Sequence, residues 1–126
     1  MTARSETGKI GENAVAEYLK NNGYTILSRN YRIKGGEIDI IAVNDFYIIF
    51  TEVKTRQPDA LVSGFEAVTK RKKGLIIKTA SDYLIKNPSK LQPRFDMAEV
   101  IAENGKVCSI NYIKNAFDTT GYNIIF

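Results

Sequence analysis

The sequence contains no histidine and only one cysteine, Cys108. Without histidine, serine–histidine and cysteine–histidine nucleophile pairs and every histidine-ligated zinc site are excluded. A single cysteine excludes an intramolecular disulfide and a cysteine-based zinc site, and it fits a reducing, cytoplasmic location. Any hydrolytic chemistry in this chain must therefore depend on carboxylates, lysines and a hard metal ion.

Long apolar runs are also absent. No stretch approaches the length that crosses a membrane, and the N-terminus lacks the apolar segment of a signal peptide. The 126 residues, 44% of them apolar, suit one compact domain with a real core. Because we find no repeats, low-complexity tracts or linker-like segments, we expect a single domain over residues 1–126, without membrane association.

The formal net charge of +4 is unevenly distributed. Residues 70–90 contain seven cations and one anion, whereas residues 1–69 contain eight cations and nine anions. A basic surface beside an acidic cluster favours a polyanionic partner close to a cation site. The alternative is an ordinary solvated helix face.

Apolar periodicity predicts the order helix, three strands, helix, two strands. This order favours an α/β fold in which a helix packs on a sheet. Residues 115–126 carry no assignment. The predicted helices cover residues 5–22 and 64–86, and the predicted strands cover residues 24–31, 37–43, 47–54, 95–102 and 107–113.

The second and third predicted strands form an acidic hairpin. With a two- or four-residue turn centred between Asn44 and Asp45, Asp39 faces Phe50 and Glu37 faces Glu52. Since opposed residues share a face and faces alternate along a strand, these acids and Lys54 project from one side. Asp39 and Glu52 are then diagonal neighbours, roughly 7–8 Å apart at the backbone, and can share a cation. A three-residue loop or a bulge would break this register.

The other residues of this hairpin are almost all apolar, which is typical of central strands covered on both faces. Acidic groups at the edge of such a sheet are costly to desolvate unless something compensates their charge. A bound divalent cation is one solution. The alternative is an ion pair of Lys54 with Glu52 or Asp39 at a solvated sheet end.

These residues resemble a known motif. Asp39, followed after twelve residues by Glu52-Val53-Lys54, matches the D…(E)xK half-motif of the PD-(D/E)xK, restriction-endonuclease-like superfamily. Gly11-Glu12 resembles the helix-borne glutamate of archaeal Holliday-junction resolvases in that superfamily. Across nearly the whole chain, an ordered set of segments is similar to the bacterial YraN family: Gly11-Glu12-x-Ala14-x-x-x-Tyr18-Leu19, Gly23-Tyr24, Arg29-Asn30-Tyr31-Arg32, Gly36-Glu37-Ile38-Asp39-Ile40-Ile41, Phe50-Thr51-Glu52-Val53-Lys54-Thr55-Arg56, Arg94-Phe95-Asp96 and Asn115-Ala116-Phe117.

The resemblance implies a restriction-endonuclease-like mixed sheet of about five strands flanked by helices, with metal-dependent endonuclease activity on DNA, including branched or structured DNA. It implies that Asp39, Glu52 and the Val53 carbonyl ligate Mg²⁺ or Mn²⁺, which suit oxygen ligands. Glu12 would add a carboxylate from the helix, directly or through water. Lys54 would orient or activate the attacking water and stabilise the developing charge.

Other residues are weaker candidates. Glu12 has the alternative of a surface glutamate paired with a lysine of its own helix. Arg56 extends the strand beyond the motif and is a candidate phosphate contact. The cations at 70–73 wrap around most of a helical turn, so only one or two can face one ligand. Lys70 and Lys73 are the predicted nucleic-acid contacts.

Two further hypotheses stay open beside hydrolysis. One is a non-catalytic nucleic-acid-binding protein that keeps the nuclease fold. The other is a small structural or adaptor protein whose acidic hairpin is a solvated ion-pair cluster. Resolvase-type relatives act as dimers because two strands are cut symmetrically, so the resemblance also implies a homodimer.

Overall fold

The computed structural model describes residues 6–59 and 68–122, which form two helices and five strands in the predicted order. The start of the predicted second helix, at residues 64–67, lies outside these ranges. Neither of the two helices is long and apolar enough to cross a membrane. The elements are α1 (Glu6–Asn21), β1 (Thr25–Ile33), β2 (Gly36–Val43), β3 (Tyr47–Arg56), α2 (Lys70–Lys86), β4 (Gln92–Glu103) and β5 (Lys106–Phe117).

The five strands form one mixed sheet in the order β1-β2-β3-β4-β5. β3 and β4 run parallel, and the other neighbouring pairs are antiparallel. A parallel pair needs a long crossover connection, and α2 lies in the one between β3 and β4. The predicted α/β class, with a five-stranded mixed sheet flanked by helices, is confirmed.

The two helices cover opposite faces of the sheet. α1 packs on one face through Val15 and Leu19, and α2 packs on the other through Ile76 and Ile77. This explains why β2 and β3 are apolar at almost every position, as predicted for covered central strands. Towards α1 point Ile40, Ala42 and Ile49, and towards α2 point Ile41, Ile48 and Phe50.

The predicted register of the β2–β3 hairpin is wrong by two residues. Phe50 pairs with Ile41 and not with Asp39. The turn is centred one residue later than predicted, between Asp45 and Phe46, and the Asn44 Oδ1 accepts the backbone N–H groups of Phe46 and Tyr47, at 2.9 and 2.7 Å. An even shift keeps the paired residues on their predicted faces, with Ile41 and Phe50 on one side and Ile40 on the other. It also places Asp39 directly opposite Glu52 along the continued register, where a diagonal arrangement was expected.

The sheet forks where the acidic residues lie. The β2–β3 pairs found in the described ranges end at Ile40 and Thr51. Two residues further along β3, the Val53 amide donates to Asp39 Oδ2 at 2.7 Å, so a side chain takes over from a backbone carbonyl. Beyond this point β2 stays paired with β1, and β3 stays paired with β4 as far as Arg56. The two strands therefore diverge and leave a notch, which we call the fork.

Candidate active site

Asp39 and Glu52 both lie at the fork, where Asp39 accepts the amide of Val53 and Glu52 contacts Lys72 of α2. Both side chains are buried, with 4% and 6% of the residue surface exposed. Glu52 Oε1 lies 3.6 Å from Lys54 Nζ and 3.4 Å from Lys72 Nζ. Asp39 also contributes to the electrostatic field at Lys72. The structure thus places Asp39, Glu52 and Lys54 together, and the ion pair of Lys54 with Glu52 that was the alternative expectation is present.

Lys72 is the site residue that the sequence reasoning missed. Burial of its ammonium group opposes the charged form, but the carboxylates of Glu52 and, more weakly, Asp39 outweigh burial, so the pKa of Lys72 is raised. A signal was available in the sequence. Lys72 precedes the buried Ile76 by one helical turn, so both residues share the face that α2 turns to the sheet.

Lys70 and Lys73, the predicted nucleic-acid contacts, lie on another side of α2. They line a cleft of about 460 Å³ together with Phe117 and Tyr122. Lys73 Nζ lies 5.7 Å from the centre of the Phe117 ring, and the Tyr122 hydroxyl donates to the Lys70 carbonyl at 2.8 Å. These two lysines remain predicted phosphate contacts at a surface next to the acidic pair.

Two predicted residues lie on the β3 arm of the fork. The Val53 N–H points at Asp39, and in an extended strand the carbonyl of the same residue points towards the same neighbouring strand. The Val53 carbonyl therefore faces the acidic pair. Arg56 ends the strand, and its buried Nε finds no hydrogen-bond partner among the residues that the structure describes.

Glu12 is buried on α1, with 1% of its surface exposed, and not on the helix surface. Its Oε1 accepts hydrogen bonds from Arg29 Nε at 2.9 Å and Asn30 Nδ2 at 3.1 Å. Two consecutive strand residues normally face opposite sides, but the left-handed backbone of Asn30 (φ 57°) lets both reach Glu12. The alternative of a surface pair with a lysine of α1 is wrong. Over residues 6–59 and 68–122, no three acidic or cysteine side chains lie close enough together to hold a metal ion.

A cleft of about 390 Å³ opens beside Glu52, between the β1–β2 hairpin and α2. One wall carries an ion pair between Arg32 and Glu37. The opposite wall is α2. It can approach β2 closely because Gly36 has no side chain: a Cβ atom there would lie 2.1 Å from Thr79 Oγ1. The cleft is lined by Arg32, Gly35, Gly36, Glu37, Glu52, Lys72, Leu75 and Ile76.

A second polar cluster surrounds Arg94 and Asp96 on β4. Asp96 is fully buried and accepts Arg94 Nε and Nη2, both at 2.8 Å, the Tyr112 hydroxyl at 2.6 Å and the Asn115 amide at 2.9 Å. Burial, reinforced by the charge of Asp96, raises the pKa of Tyr112. The cluster joins β4 to the end of β5 and explains why these residue types stand there.

The sequence of this chain is similar to a protein family and to several known proteins. Residues 11–100 match the model of the uncharacterised protein family UPF0102. A UPF0102 protein of Clostridium botulinum strain Loch Maree is 47% identical over 115 residues, which is 89% of this chain and 94% of the relative. A UPF0102 protein of C. botulinum strain 657 is 48% identical over the same shares. A UPF0102 protein of Syntrophomonas wolfei is 42% identical over 113 residues, 89% of this chain and 97% of the relative.

Proposed function

The chain belongs to the UPF0102 family, and we propose that it is a metal-dependent endonuclease of the PD-(D/E)xK class that hydrolyses phosphodiester bonds in DNA. One observation carries the proposal. Two buried carboxylates lie at the fork: Asp39 accepts the amide of Val53, the residue after Glu52, and two lysine ammonium groups lie within 4 Å of Glu52. Carboxylate oxygens for a divalent cation, beside an ammonium group for the reacting water, are what this chemistry needs.

The donor set suits Mg²⁺ or Mn²⁺. Asp39, Glu52 and the Val53 carbonyl provide oxygen ligands on one side, and Mg²⁺ commonly binds to one or two carboxylates while keeping several waters. The missing third carboxylate is therefore no obstacle to this ion. When bound, the cation would polarise the scissile phosphate and lower the pKa of a coordinated water.

Lys54 and Glu12 have different roles in this proposal. Lys54 lies on the same face as Glu52 and is placed to hold the attacking water and to balance the negative charge that develops on the phosphate. Glu12 is held by Arg29 and Asn30 on the α1 side. These hydrogen bonds hold α1 against β1, and we propose that Glu12 supports the site in this way. A contact of Glu12 with the cation through water stays a prediction.

The proposed substrate follows from the charge of α2. Its first turn carries four consecutive cations at residues 70–73, next to the 390 Å³ cleft and the 460 Å³ cleft. Lysine and arginine contacts to phosphates give affinity without sequence preference. Branched or structured DNA, cut by a homodimer in the cytoplasm, is the form of this activity that we propose.

A second candidate is a non-catalytic protein that binds nucleic acid. Asp39 already accepts the Val53 amide, and Glu52 already has two lysine partners. These contacts compensate both carboxylates without a metal ion, which favours this candidate over a purely solvated acidic cluster. Its DNA affinity would fall steeply with salt and would not respond to chelators.

The deciding experiment is a calorimetric titration of Mn²⁺ and Mg²⁺ into wild type and Asp39→Asn. Asparagine keeps the size of the side chain and an oxygen that can accept the Val53 N–H, so the fork should keep its shape while a ligand charge is lost. We expect wild type to bind and the variant to lose at least about tenfold in affinity, equal to 1.4 kcal/mol. Asp45→Asn, at an exposed turn position, is the matched control and should bind as wild type does.

Cleavage is then tested on labelled single-stranded, duplex and four-way-junction DNA with either metal. Nicking by wild type and by Asp45→Asn, but not by Asp39→Asn, supports the nuclease. DNA binding without cleavage of any substrate, unaffected by chelators, would establish the binding module instead. Absence of both metal and DNA binding would leave only the structural protein.

A further inference from the structure

Two lysines from different elements converge on one carboxylate oxygen. Lys54 belongs to the same strand as Glu52, two residues away, whereas Lys72 reaches the same Oε1 from the first turn of α2. The Lys72 side chain is 42% exposed, and it lines the 390 Å³ cleft, as Glu52 does. It therefore has both a buried partner and open space beside it.

The net charge of the four side chains at the fork depends on whether a divalent cation is bound. Asp39 and Glu52 carry two negative charges, and Lys54 and Lys72 carry two positive charges, so the group is neutral as a whole. Once Glu52 gives an oxygen to a divalent cation, the group carries two excess positive charges. Two ammonium groups then no longer have a carboxylate to share, and like charges at such distances repel.

We propose that Lys72 couples cation binding to DNA phosphate binding at this site. In the cation-free protein it pairs with Glu52. When Glu52 turns to a cation, the Lys72 ammonium group is released to a phosphate that enters the cleft. Lys72 is the mobile partner because its side chain is half-exposed and stands on a separate helix, while Lys54 is anchored on the strand of Glu52. This inference rests on the proposed function, and it assigns to Lys72 the coupling between the two ligands, the cation and DNA.

A link of this kind is reciprocal: a cation must raise DNA affinity by the same factor by which DNA raises cation affinity. We expect a factor of about five to ten in wild type, at the lower end of typical couplings. Removing the Lys72 charge should remove that factor. It should also raise cation affinity in the absence of DNA, by up to about fivefold, because a competitor for Glu52 is gone and such pairs contribute up to about 1 kcal/mol.

The experiment measures binding and not activity. Fluorescence anisotropy with a labelled four-way DNA junction gives the dissociation constant with and without Ca²⁺, a hard cation that binds oxygen ligands, at one ionic strength. Calorimetry gives the Ca²⁺ affinity without DNA. The variants are Lys72→Met and Lys72→Gln, so that a folding defect of one does not decide the result. Lys73→Met, which removes the neighbouring charge over Phe117, is the matched control.

In Lys72→Met and Lys72→Gln, Ca²⁺ should change DNA affinity by less than about twofold, while Lys73→Met should weaken DNA binding equally with and without Ca²⁺. The inference is overturned if the Lys72 variants keep the wild-type factor, or if Lys73→Met loses it to the same extent. In those cases the proposed function stands. If wild type binds DNA without binding Ca²⁺ or Mn²⁺, the metal-dependent function and this inference fail together.

Discussion

Replacement of Asp96 by alanine tests whether the second polar cluster supports the fold. Asp96 is 0% exposed and balances Arg94, which is itself buried. Alanine removes the carboxylate and leaves the guanidinium group without its counter-charge. The Tyr112 hydroxyl and the Asn115 amide lose an acceptor at the same time. The damage is therefore an uncompensated buried charge together with unsatisfied donors, and not only a small cavity.

The expected cost follows from that mechanism. Breaking a buried pair by removing one partner typically costs about 3–5 kcal/mol. Natural domains have about 5–15 kcal/mol of stability, so this change consumes a large fraction of it. For a chain of this size each kcal/mol moves the melting temperature by about 3–4 °C, which gives a fall of roughly 10–20 °C.

Urea unfolding and thermal melting, both followed by circular dichroism, measure the loss. The double variant Arg94→Leu with Asp96→Leu is the control, because it leaves no charge in the interior. We expect the double variant to be more stable than Asp96→Ala, since replacing both partners of a buried pair is often close to neutral. A loss below about 1 kcal/mol in Asp96→Ala, the usual range for exposed pairs, would refute the reasoning, as would a double variant as unstable as the single one.

Two further predictions concern contacts that hold α1 and α2 on the sheet. Gly11→Ala would place a Cβ atom 1.8 Å from Thr55 Oγ1, so we expect a loss of about 1–3 kcal/mol in urea unfolding. Combination with Thr55→Ala should recover part of that loss, and no recovery would contradict the contact. The hydrogen bond from Tyr31 to Asp82, followed by burial, raises the pKa of Tyr31 to about 12. Because the folded pKa lies above the unfolded value, this contribution to stability is complete below pH 10 and disappears as the pH rises through 12. Tyr31→Phe should reduce the fall of the urea midpoint between pH 9 and pH 12, and an unchanged fall would contradict the assignment.

Local patterns in the sequence determined much of the fold. Apolar periodicity predicted the order of helices and strands, because each element must turn an apolar face to the core. The common face of Glu52 and Lys54 was also predictable. They are two residues apart on β3, and side chains alternate with a period of two, so they share a face whatever the register of the hairpin.

The ends of the elements were less predictable. Residues 115–117 had no assignment, yet β5 extends to Phe117. Asn115 adopts a left-handed backbone (φ 53°) and donates its amide to Asp96, which lets the strand resume beyond an irregularity in the β4–β5 pairing. Phe117 then stacks on Phe95, with ring centres 5.1 Å apart. These contacts join residues far apart in sequence, and no local pattern encodes them.

Tertiary structure alone decided which partners the acidic residues have. Whether Lys70, Lys72 or Lys73 reaches Glu52 depends on the rotation and position of α2 over the sheet, which the packing of Ile76 and Ile77 against the strands sets. The fork depends in the same way on β2 following β1 while β3 follows β4. Periodicity within one element determines the direction of a side chain, but its contacts depend on the placement of a second element. That placement is a property of the whole core.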